Sequence, residues 1–183
     1  MQTKQTTPKW SEIKRGLKEW RRPEVIGLVQ ELFEYSEENR AFLAARLLRE
    51  AGSIDPIQPY RRKILAAFSK TNADPDLAAA RKAIRDYRKV SNDLGGMLEL
   101  MLVYLEEGTR FTCEFGDMYA GYYDSLCSVL DDFARKLRAE DAREYLDQFR
   151  ERLLRLAIKA NGIGWGFGDY VCDTVAVLID TTE

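Results

Sequence analysis

Leu94, Met97, Leu98, Met101, Leu102 and Leu105 recur at intervals of three and four, the phase that places them all on one face of an α-helix. The same phase returns along the whole chain. Val25, Leu28, Val29 and Leu32 carry it after Pro23, and Phe42, Leu43 and Leu47 carry it after Ser36. Leu77, Ala80, Ile84 and Tyr87 follow Pro75 in the same register. Tyr119, Tyr122, Leu126, Val129, Phe133 and Leu137 follow Asp117, and Ala142, Tyr145, Phe149, Leu153 and Leu156 precede Gly162. No segment alternates apolar and polar residues with the β-branched enrichment of a strand. The expectation is an all-α fold of irregular antiparallel helical hairpins, stacked as a bundle or a short HEAT-like array. Connections of a few residues favour antiparallel neighbours. Variable helix lengths without a fixed period argue against tetratricopeptide or ankyrin repeats.

The punctuation between stripes is specific. Pro23 opens one helix, and Ser36 caps the next with Glu37 and Glu38 in its first turn. Gly52 is read as its stop, and Asp55-Pro56 as the start of another. Asp74 is read as a cap with Pro75 in the first helical position. The helix carrying Leu94 is expected to end near Gly108, Asp117 to cap a long one, and Asp169 to cap a short last one through Leu178. A chain of 183 residues suits a single domain over 1–183, with 1–8 as a flexible lead-in. At this length folding buries about 70 % of the unfolded-chain surface.

Histidine is absent. That removes Ser-His and Cys-His pairs, imidazole bases and most zinc sites, leaving carboxylates, Lys, Tyr or Cys for any catalysis. Cys113, Cys127 and Cys172 show no Cys-x-x-Cys spacing and are read as free buried thiols. No apolar run approaches the roughly 18 residues that span a bilayer. Met1 to Lys14 lacks the apolar core of a secretory signal. The expectation is a cytoplasmic protein with no membrane partner.

Residues 160–175, "ANGIGWGFGDYVCDTV", hold glycines in alternation with Ile163, Trp165 and Phe167. A helix rather than a strand precedes them, no Lys follows, and the acid Asp169 would repel phosphate. The stretch reads as an aromatic packing turn.

Net charge is −2, which gives no general reason to expect nucleic acid. The layout is uneven, however. Cations crowd Met1–Arg22 and Tyr60–Val90, the latter including Arg81, Lys82, Arg85 and Arg88; such clusters keep nucleic-acid binding through basic helices as an alternative. Acids crowd Ser91–Asp132, where Arg110 is the single cation. Glu106 and Glu107 facing Glu114 and Asp117 would suit Mg²⁺, the alternative to a protein without cofactor. Glu31-x-x-Glu34 and Glu114-x-x-Asp117 match the motifs of all-α nucleotide pyrophosphohydrolases, but some eighty residues separate them, far beyond that family's interval. This is the basis of a second alternative, a carboxylate- and Mg-dependent nucleotide or phosphoester hydrolase.

Four stretches carry a resemblance: "LVQELFEYSEENRAFLAARL" (29–48), "ARKAIRDYRKVSN" (80–92), "LMLVYLEEGTRFTCEFGDMYAGYYDSL" (100–126) and "GIGWGFGD" (162–169). Through them the chain resembles a family of uncharacterised bacterial helical proteins grouped as a domain of unknown function. The resemblance implies an all-α fold and brings no activity. The leading expectation is a non-catalytic protein that binds a macromolecular partner, with no catalytic residues. Its binding residues are expected around Glu106, Glu107, Glu114, Asp117, Tyr119, Tyr123 and Trp165, and its partner and oligomeric state are left open.

Overall fold

The computed structural model of the chain describes residues 8–47, 55–69, 74–138 and 143–180. The expected stop at Gly52, the inward Ala142 and all of the 1–8 lead-in but Pro8 lie outside them. Every regular element among the described residues is a helix. The order is α1 (Trp10–Lys18), α2 (Arg22–Tyr35), α3 (Glu37–Leu47), α4 (Gln58–Ala67), α5 (Leu77–Val90), α6 (Leu94–Phe115), α7 (Ala120–Leu137), α8 (Arg143–Ala160) and α9 (Phe167–Asp180). No helix among these residues is long and apolar enough to cross a membrane. The chain's internal contacts group into two units, Met1–Ile54 and Asp55–Glu183.

The first unit is held by local chemistry. Glu12 and Glu24 each reach back to the N–H three residues earlier, at Lys9 (2.9 Å) and Arg21 (2.6 Å), satisfying donors that a helix start leaves open. Pro23 sits in the first turn of α2. Ser36 behaves as expected, its hydroxyl accepting the Asn39 N–H (3.1 Å). α2 ends without a glycine. Instead the Asn39 amide donates to the Leu32 carbonyl (2.7 Å) and the Arg40 guanidinium to the Phe33 carbonyl (3.1 Å). These are orphan carbonyls of the last turn of α2, so the first turn of α3 caps its predecessor.

The second unit is a bundle of hairpins around α6. Hairpin partners α4 and α5, α6 and α7, and α8 and α9 pack together, and α6 also touches α4, α5 and α8. The stripe from Leu94 to Leu105 predicts one buried face, but Leu100, Val103 and Tyr104 opposite it are buried too. Its middle, from Met97 to Leu105, is therefore buried on more than one face, as a core helix is. Phe133 and Phe149 stack between α7 and α8 (6.0 Å between centroids), and Phe68 meets Tyr104 edge-on (5.5 Å).

Five boundaries differ from the sequence expectation, the first being α4, which starts at Gln58 behind Ile57 and not at Asp55-Pro56. α6 continues past Gly108 to Phe115. Gly108 is a site of close approach, not a stop: a Cβ there would lie 2.4 Å from a Leu126 methyl, and its carbonyl accepts the Tyr122 hydroxyl (2.6 Å). The stop is Gly116, at φ +93°. α7 starts at Ala120 behind Tyr119, so Asp117 is not its cap. α5 is capped by Asp76, whose carboxylate accepts the Ala79 N–H (2.9 Å), and Asp74 and Pro75 precede the cap. α9 starts at Phe167 and runs to Asp180, which puts Asp169 in its first turn.

Candidate functional site

The helix ends of α6 and α8 and the starts of α7 and α9 meet at one end of the second unit. Asp117 lies against the α8–α9 turn, where a Cβ on Gly164 would come 3.1 Å from its carboxylate. The Cys113 thiol reaches the Lys159 carbonyl (3.6 Å). The Tyr123 hydroxyl is the hub. It accepts the Met118 N–H (3.1 Å), donates to Asp117 Oδ1 (3.1 Å) and lies within hydrogen-bond distance of the Thr112 hydroxyl (2.7 Å). Its ring stacks near Phe167 (5.3 Å). Asp117 and Tyr123 are therefore joined in the fastening of two hairpins.

The other acids go elsewhere, each to a guanidinium. Arg152 of α8 grips Glu106 with two parallel bonds, Nε to Oε1 at 2.9 Å and Nη2 to Oε2 at 2.7 Å, and bonds Glu99 as well. Arg61 of α4 approaches Glu99 from the other side (3.3 Å). Glu107 and Glu114 share Arg110, one turn away on α6. These carboxylates hold the Arg152 and Arg110 guanidiniums above their ordinary protonation range, Glu106 and Glu114 contributing most. Among the described residues no group of three or more Asp, Glu or Cys side chains is placed to hold a metal ion. Glu106, Glu107, Glu114 and Asp117 diverge into three separate arrangements. The two hydrolase-like motifs fall in different units, Glu31 and Glu34 in the first, Glu114 and Asp117 in the second.

The glycine stretch is a turn, as expected, but its side chains divide differently. Phe167 is buried and Ile163 half-buried, while Trp165 is 68 % exposed. Trp165 is no plug. It sits at φ +59° beside Gly166 at φ +70°, with the Phe167 N–H bonded to the Gly164 carbonyl (3.2 Å). Positive φ at both central residues is a primed turn, which favours Gly or Asn and strains a Trp. With Phe115 and Tyr119, also about half exposed, Trp165 gives this end of the unit open aromatic surface.

The cysteines are free, but they are less buried than expected: Cys113 is exposed and Cys127 and Cys172 are half-buried. Desolvation, reinforced by Asp131 and Asp124, pushes the Cys127 thiol up to about 11, which disfavours the thiolate at neutral pH. Burial likewise raises the Tyr104 and Tyr122 phenols.

A second candidate surface escaped the sequence reading. No residue of α1 or α2 is buried. Trp10, Ile13 and Leu17 share one face of α1, and Trp10, Ile13, Trp20, Ile26, Leu32 and Phe33 are each at least 45 % exposed. The amphipathic spacing was available in the sequence, but spacing alone does not say whether a stripe finds a neighbour.

No protein-family model matches the chain, and no curated protein or solved structure matches it.

Proposed function

We propose that this protein is a non-catalytic binding protein that docks its N-terminal helices onto a protein partner. One observation carries the reading: α1 and α2 bury no side chain, although Trp10 on α1, Trp20 between the two helices and a run of large aliphatic and aromatic residues are open. Helices this short gain most of their stability from packing an apolar face. Clustered exposed apolar side chains on a folded chain mark contact surface. Tryptophan and arginine, here Trp10, Trp20, Arg15, Arg21 and Arg22, are the residue types that dominate interface energetics. The open aromatics Phe115, Tyr119 and Trp165 give the second unit a contact surface of its own. The hydrolase alternative has no comparable support, because Glu106, Glu107, Glu114 and Asp117 are each engaged by an arginine or a tyrosine.

The test is site-specific photo-crosslinking in the native cell with the full chain, the reactive group placed at Ile13 and at Ile26. One discrete intermolecular product from both positions is expected, and none from Leu154, which is exposed on α8. Only intramolecular products, or none, would overturn the reading.

A further inference from the structure

The cations of α5 fall into two sets. Lys82 and Lys89 close on Asp86 (2.6 and 3.2 Å) and hold that carboxylate below its ordinary range. Arg81, Arg85 and Arg88 stand at i, i+4 and i+7 on another face. α5 and α7 each pack on α6, and between them runs a groove floored by Met97 and Met101. The three arginines line it, Lys136 of α7 lines it with them, and its cavity measures about 150 Å³.

Among the described residues this concentration of charge is not offset. The one acid on the lining, Asp132, is already bonded to Arg135. Arg81 is fixed by two neutral hydroxyls of α7, Ser125 (3.4 Å) and Ser128 (3.3 Å), which orient its guanidinium and leave its charge uncompensated. Arg85 and Arg88 are exposed, and neither they nor Lys136 make an ion pair among the described residues. Like charges one turn apart on a helix oppose its formation. A cavity that gathers four of them favours an anion.

We propose that the α5–α6–α7 groove binds the terminal phosphate of a small phosphomonoester. Two magnitudes select this class. A volume near that of a benzene-sized cavity, about 150 Å³, is well below the roughly 300 Å³ at which pockets begin to enclose drug-sized ligands, so the site takes an end group. A terminal monoester carries close to two negative charges at neutral pH, a phosphodiester only one, and guanidiniums bind such oxygens in bidentate fashion. The thioethers of Met97 and Met101 give the carbon next to the phosphate an adaptable apolar floor.

Titration calorimetry of the full chain with phenyl phosphate at low ionic strength tests this. One saturable site is expected, weakened about tenfold by Arg85→Gln and further by Arg85→Gln with Arg88→Gln, since a charge-assisted bond is worth about that factor. Both side chains are exposed, so the variants keep the fold; Lys159→Gln on α8 should bind as the parent does. Absence of saturable binding, or equal binding by the double variant, would overturn the proposal. So would retention on duplex DNA that depends on Arg85 and Arg88 without binding of phenyl phosphate, because the groove would then read a phosphodiester.

Discussion

Arg152 decides what the acidic stretch of this chain is for. Its guanidinium lies between Glu106 and Glu99, with side-chain exposures of 22 %, 33 % and 15 %, so all three charges are partly withdrawn from water. Removing one partner from such a group leaves the others uncompensated, which costs more than the pair contributes. Arg152→Ala is therefore expected to destabilise the chain by about 3 kcal/mol. Glu106→Gln added to it should restore part of that loss, since one of the stranded carboxylates is gone. Denaturant unfolding of the two variants measures both. A loss under about 0.5 kcal/mol for Arg152→Ala, typical of surface changes, would mean that these acids are not structural. None of this was legible in the sequence. The acids were, but their partner stands 46 residues from Glu106, and no local spacing encodes that distance.

At the scale of elements, the sequence was a good guide to helices and a poor one to their ends. A stripe is a local property, so α2, α3 and α5 to α8 appear where their apolar residues are phased. A glycine's role depends on what approaches it from elsewhere in the chain. Gly108 and Gly116 look alike as letters, yet the first admits Leu126 and the second turns the backbone. Pro75 likewise suits a first helical turn, but Asp76 behind it finds the Ala79 N–H and takes the cap. Gly168 is the sharpest case. A Cβ there would stand 2.4 Å from the Ala160 carbonyl oxygen and 3.1 Å from that of Ile163, both backbone atoms that cannot rotate away. Gly168→Ala should cost about 3 kcal/mol by prying α9 from α8, at the upper end of overpacking penalties. Gly121→Ala, at a helical position with only ordinary contacts to the Tyr119 ring, should instead stabilise by about 0.5 kcal/mol. Thermal unfolding of the two variants checks the contrast, and similar shifts for both would sink the account of Gly168.

The molecule as a whole divides by where its apolar surface goes. In the second unit α6 is enclosed, and the buried Phe133, Phe149, Leu153 and Val171 continue the core through α7, α8 and α9. In the first unit equally apolar residues such as Ile26 and Trp10 stay open. The basic and acidic stretches meet within one chain, through Arg61 and Glu99, which the sequence could pose only as a question. The fold class was thus readable from phase, whereas the contact surface was not, because exposure is decided by neighbours. By the proposal above, α1 and α2, which bury no side chain, are completed by a partner. Native-state hydrogen exchange of the full, purified chain tests it most directly. Amides of α6 are expected to exchange only with global unfolding, and those of α1 and α2 to exchange close to the rate of an unfolded chain. Protection of α2 as strong as that of α6, in the isolated protein, would contradict the account.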